Sequence, residues 1–137
     1  ASATGLAFAA FYRSPYLRKM LDCEVQAMAE ARNATPSALL DELTVRLDEI
    51  RRRGIARASG SVNPGINGFS APVFDHTGHM VAAITSLGII GSFDLDWDSP
   101  MAQSTRDAAA TLSRRLGHGS VDISSGGKQP APARASL

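Results

Sequence analysis

Apolar positions recur at helical spacing through the first part of the chain, switch to a shorter period after Ile55, and return to helical spacing after Ser99. Thr4 is placed to cap a short helix through Leu6, Ala7, Phe8, Ala9 and Ala10, whose small or apolar residues predict burial on most sides. Ser14-Pro15 restarts the pattern, with serine as cap and proline at the first helical position. Leu17, Met20, Leu21, Val25 and Met28 then form a stripe expected to face a core. Thr35-Pro36 repeats the start signal. Leu40, Leu43, Leu47 and Ile50 carry a third helix to its stop at Gly54. Glu42 with Arg46, and Asp48 with Arg52, are four apart in the acid-first order and predict ion pairs on an outer face.

From Ile55 to Val62 the alternation is that of a strand, and Asn63-Pro64-Gly65 is a turn. Phe69–Phe74 and Met80–Leu87 flank Asp75-His76-Thr77-Gly78 and predict an antiparallel hairpin, with Gly88 and Gly91 ending the sheet. Pro72 inside the middle run predicts a sheet edge or a bulge. Ser99-Pro100 opens a last helix, with Met101, Ala108, Leu112 and Leu116 as its stripe and Gly117 as its end. Residues 119–137 are rich in glycine, proline and small side chains, the composition of a flexible terminus.

Composition narrows the partners. At 137 residues, 44% of them apolar, the chain fits one domain with a modest core. Fourteen basic residues against 13 acidic ones leave no global field that would draw the chain onto a phosphate backbone. The run Arg51-Arg52-Arg53 sits in a last helical turn, where cations complement the helix dipole. Cys23, the single cysteine, has no partner for an internal disulfide, so a reducing cytoplasm is the expected compartment. No stretch approaches the roughly 20 apolar residues of a spanning helix, and no membrane partner is expected. The opening ASATGLAFAAF has no basic region before it and reads as a packed helix, not a signal peptide.

Catalytic signatures such as G-x-S-x-G, H-E-x-x-H and G-x-x-x-x-G-K do not occur, and no catalytic residue, metal or cofactor is expected. His76 and His79 flank a turn without further ligands nearby in sequence. Asp22 and Glu24 beside Cys23 disfavour its thiolate. Asp94, Asp96 and Asp98 lack the spacing of a calcium loop and read as an acidic lead into the last helix. Trp97 is expected to pack over the sheet.

Four segments, ATGLAFAA, LDEIRRRGIA, NPGINGFSAPVFDHTGHMVAAITSLG and AATLSRRLG, occur in an order and separation that resemble the effector-binding domain of the IclR (isocitrate-lyase-regulator) family, from Ala3 to Gly117. The resemblance implies an α/β (α+β) fold, a curved antiparallel sheet flanked by helices of GAF or profilin type, with the family's early strands missing here. Residues 1–118 would then be a partial effector-binding domain. It implies a transcriptional regulator that binds a small organic acid, forms a homodimer or homotetramer, and reads DNA only through an N-terminal winged helix-turn-helix not present in these residues. Carried over by motif, the ligand-binding residues are Thr4, Gly5, Ala58, Asn67, Gly68, Thr85 and Leu87.

Several depart from the family pattern. Ala58, Gly60 and Ser61 stand where members often carry acidic residues, Gly68 where cysteine is common, and Leu87 where a second serine is common. A lining with fewer fixed donors and acceptors favours an apolar or aromatic acid over one of glyoxylate size. Each residue also has a purely structural reading: close packing at Gly5, a bulge at Gly68, strand propensity at Thr85, core at Leu87. Two other functions stay open, a dimerisation module without ligand and a small α/β enzyme.

Overall fold

The computed structural model describes residues 1–119. The expected flexible terminus, 119–137, lies outside the described residues but for its first. The elements are α1 (Ala3–Phe11), α2 (Pro15–Arg32), α3 (Pro36–Arg53), β1 (Ala56–Ser59), β2 (Ile66–Phe74), β3 (Met80–Ile89) and α4 (Pro100–Arg115). The fold is α+β, an antiparallel three-stranded sheet in the order β1-β2-β3. Helix α1 lies on one face, backed by α3; α4 covers the other; α2 packs on α3 away from the sheet.

Alternation along β2 divides the core in two. On the α1 face, Leu6, Ala7 and Ala10 meet Ala56, Leu47, Ile50 and Met80. On the α4 face, Phe69, Ala71 and Val73 meet Phe93, Ala102 and Ala109. Phe69 and Val73 are fully buried, each contributing roughly 1.5–3 kcal/mol of transfer free energy.

Several expected details change once the elements pack. The cap of α1 is Ser2, whose Oγ accepts the Gly5 N–H at 3.0 Å, so Thr4 lies inside the helix and its hydroxyl is free for other work. The α2 stripe does not face a core as a whole: Val25 and Ala29 are buried, while Met20 and Met28 are exposed. Leu40 of α3 is likewise exposed, because α2 and α3 project as a hairpin and only the C-terminal half of α3 reaches the sheet side. The expected pairs Glu42–Arg46 and Asp48–Arg52 are replaced by Asp48–Arg51 at 2.7 Å and Glu49–Arg53 at 3.6 Å. Arg51 is turned aside because its Nε donates to the Ala10 carbonyl at the end of α1, 2.8 Å away.

β1 is shorter than the alternation suggested, and β3 runs on through Gly88 to Ile89, paired with Asn67 and Ile66; Gly88 does not end the strand but makes room for the Phe93 ring, from which a Cβ would stand 2.2 Å. Pro72 lies on the central strand, not an edge, two residues past the last β1 pair, where a missing N–H breaks no ladder bond on that flank. A bulge follows at Val73/Phe74. The buried stripe of α4 is Ala102, Thr105, Ala109 and Ser113; Met101, Ala108 and Leu116 are exposed. Small side chains let α4 approach β2 closely, and its hydroxyls are paired there: Thr105 Oγ1 with Ser86 Oγ at 2.8 Å, and Ser113 Oγ accepting the Phe74 N–H at 3.0 Å. Of the expected stripe, half-buried Leu112 does pack against this cluster, so hydrophobicity alone finds one of its four residues on the buried side.

Candidate functional site

A cleft of about 170 Å3 opens where the N-terminus of α1 meets the β1 and β2–β3 ends of the sheet. Pairing sets its floor. Ala58 is opposite Gly68, and Gly68 is opposite Leu87, so all three share the α1 face of the sheet. Thr85 shares that face with Ser70, its register partner. The loop after β1 forms a wall and is tied to the chain start by Ser61 Oγ, which donates to the Ala1 carbonyl at 2.9 Å.

Of the expected ligand residues, Thr4, Ala58, Asn67, Gly68, Thr85 and Leu87 line the cleft, and Gly5 does not. Gly5 is exposed, with its N–H already held by Ser2. Asn67 borders the cleft, but its side chain lies on the α4 face, where Nδ2 donates to the Phe93 carbonyl at 3.0 Å. Its buried Oδ1 has no partner. Gly68 opens space for Leu87: a Cβ there would stand 2.8 Å from Leu87 Cδ2. Leu87 is 68% exposed, so it is part of the cleft mouth and not of the core.

Ser70 was not anticipated as part of the site. Its Oγ lies 2.9 Å from Thr85 Oγ1, which in turn lies 2.9 Å from Thr4 Oγ1. Ser70 is fully buried and Thr85 is its one hydrogen-bond partner among the described residues. Leaving the Ser70 proton without an acceptor costs about 1–3 kcal/mol, so Ser70 donates to Thr85. One proton of the Thr4/Thr85 pair then remains for the cleft, whichever way those two are ordered. The signal was present in sequence, since Ser70 stands two residues from Gly68 and a strand's period of two places both on one face.

The first-turn amides of Ala3 and Thr4 add donors, because the first helical bond runs from Leu6 N to Ser2 O and the cap occupies only Gly5 N. Among the described residues no acid, base or cysteine lines the cleft, so they offer donors to an anion but no titratable pair for acid–base chemistry. Apolar surface comes from Val62, Ile66 and Leu87.

The other sequence candidates lie elsewhere. His76 and His79 are exposed in the hairpin turn. There Asp75 is held below the usual carboxylate range, chiefly by the Thr77 hydroxyl and further by the Thr77 and His79 amides. Asp94 and Asp96 accept the N–H groups of Asp96 and Asp98. Trp97 packs against the α4-face cluster and carries the Arg57 guanidinium 4.0 Å from its ring centre. A shallower depression at the outer edge of β1 holds Arg46, Arg57, Asp94 and Asp96. Arg46 donates to the Arg57 carbonyl and Arg57 to the Leu95 carbonyl, an arrangement that shields an edge strand.

Residues 1–114 match the family model for the C-terminal part of the bacterial transcriptional regulator IclR. The chain therefore belongs to the IclR family and corresponds to the C-terminal domain of its regulators. Among solved structures it is similar to Pseudomonas aeruginosa HmgR, with 31% identity and a TM-score of 0.69 over 88% of this chain and 45% of that one. The Thermotoga maritima IclR shares the fold at 24% identity and a TM-score of 0.63, over 85% of this chain and 47% of that one. A targeted domain, 129–302, of another IclR-family regulator matches over 85% of this chain and 65% of its own length, with 24% identity and a TM-score of 0.64. The chain thus spans about half the length of the full regulators it matches. Comparison with curated proteins finds no match. No described helix is long and apolar enough to cross a membrane.

Proposed function

We propose that this chain is the effector-sensing part of its regulator, taking a small organic acid with an apolar or aromatic body into the α1–sheet cleft. The observation that carries the reading is the proton left on the Thr4/Thr85 hydroxyl pair beside the open amides of Ala3 and Thr4. A carboxylate placed there accepts several hydrogen bonds at a helix N-terminus. The remaining lining is uncharged, and Val62, Ile66 and Leu87 give it an apolar side, beside Ser2, Ser61 and Asn63, against which a ring can pack. Size agrees: an enclosed apolar cavity of about 150 Å3 accommodates benzene.

DNA recognition belongs to a winged helix-turn-helix outside these 137 residues, the compartment is the cytoplasm, and the protein acts as a homodimer or homotetramer, not as an enzyme. Effector binding would shift the arrangement of the protomers and so the spacing of the DNA-reading heads. Isothermal calorimetry with benzoate, phenylacetate, pyruvate and glyoxylate tests the sensing step. The aromatic acids are expected to bind measurably more tightly. Tighter binding of pyruvate or glyoxylate would overturn the ligand class, and heat-silent titrations without thermal stabilisation by any acid would favour a ligand-free dimerisation module.

A further inference from the structure

Helix α2 is apolar on two opposite sides. Val25 and Ala29 are buried. Half-way around the helix, at about 100° per residue, Tyr16, Met20, Cys23 and Ala27 form a second stripe. All four are exposed, Tyr16 at 74%. Their spacing of four, three and four is that of alternating seam positions in a heptad. Lys19 and Glu24 border the stripe on its two flanks, five residues apart, and neither belongs to an ion pair among the described residues.

We propose that this outer stripe is a self-association surface, which pairs with the same stripe of a second copy of the chain, the two helices running parallel. The charges select both the partner and the direction. In a parallel pair, each flank of one helix faces the opposite flank of the other, so Lys19 of one copy meets Glu24 of the second, twice by symmetry. In an antiparallel pair like flanks meet, and Glu24 would oppose Glu24. One cation and one anion on opposite flanks is a self-complementary arrangement under a twofold axis, which a foreign partner has no need of. The seam is small beside the roughly 20–30 residues a side of a standard interface, so the contact is weak and reversible.

This inference rests on the self-association part of the preceding reading and gives it a surface. Sedimentation equilibrium of the full chain, from about 10 μM to about 1 mM, tests both. The wild type is expected to show a reversible monomer–dimer equilibrium. Lys19→Glu and Glu24→Lys should each weaken it about five-fold, and the double variant should restore it to within about two-fold. Circular dichroism checks that each variant keeps its helix content. A wild type that stays monomeric throughout overturns the self-association reading as a whole. Association that ignores the single charge reversals, or is not restored by the double one, overturns the α2 surface and leaves self-association to another face.

Discussion

The two faces of the sheet handle hydroxyl groups in opposite ways. On the α4 face, Ser86 meets Thr105 and Ser113 meets the Phe74 amide, beneath a helix whose small residues bring it close. Each bond joins an element to its neighbour, and the surroundings are Phe69, Val73 and Phe93. On the α1 face, Ser70, Thr85 and Thr4 form a chain that starts in the core and ends at the cleft. The same residue types thus glue one face and equip the other. What separates them is whether the last hydroxyl of the chain has a protein partner.

The strongest way to sharpen this contrast is to damage the sealed face. Phe69→Ala removes the largest fully buried side chain and is expected to cost about 3–5 kcal/mol in urea unfolding. Where the variant still folds, its acid affinity should be unchanged, because Phe69 points away from the cleft; a parallel loss of binding would mean that the two faces are not separable.

A smaller effect is expected on the open face. Thr85→Val strands the buried Ser70 hydroxyl and should cost about 1–3 kcal/mol, with binding of aromatic acids reduced about ten-fold in calorimetry. Ser86→Ala, one residue along and on the other face, should lose stability without losing binding. Equal effects of the two on affinity would break the comparison.

Smallest is the hairpin turn that both faces share. Because the folded state holds the Asp75 carboxyl below its ordinary value of 3.8, its contribution is fully present above that value and is lost as pH falls through the lower folded value. Asp75→Asn should therefore lower the melting temperature slightly at neutral pH, and the gap to wild type should close in strong acid. A gap independent of pH would assign the loss to turn geometry instead.

Much of this architecture was legible before any packing was known. The three serine- or threonine-proline starts stand at the heads of α2, α3 and α4, since a fixed proline φ acts within one turn of chain; Ser14 and Ser99 add a side-chain cap, whereas Thr35 makes no such bond. The turn at Asp75–Gly78 fixed the β2–β3 hairpin for the same local reason, and motif carry-over placed Thr4, Ala58, Gly68, Thr85 and Leu87 around one cleft.

Other features depended on distant neighbours. Ser2 and Thr4 compete for the cap within three residues, and the contact that holds Thr4 comes from Thr85, 81 residues away. The period of the strand turns Asn67 from the cleft, but the carbonyl that meets its amide there comes from Phe93, 26 residues away. The buried side of α4 was decided by how close a helix can come to β2, which favours alanine, serine and threonine over leucine and methionine.

By itself, then, the sequence determined element types, their starts and stops, and the family, because these depend on interactions within a few residues or on motif order. Tertiary structure decided which side of each helix is buried and which pair of hydroxyls keeps a spare proton. Those outcomes depend on donors, acceptors and contact distances that come together only when remote segments pack.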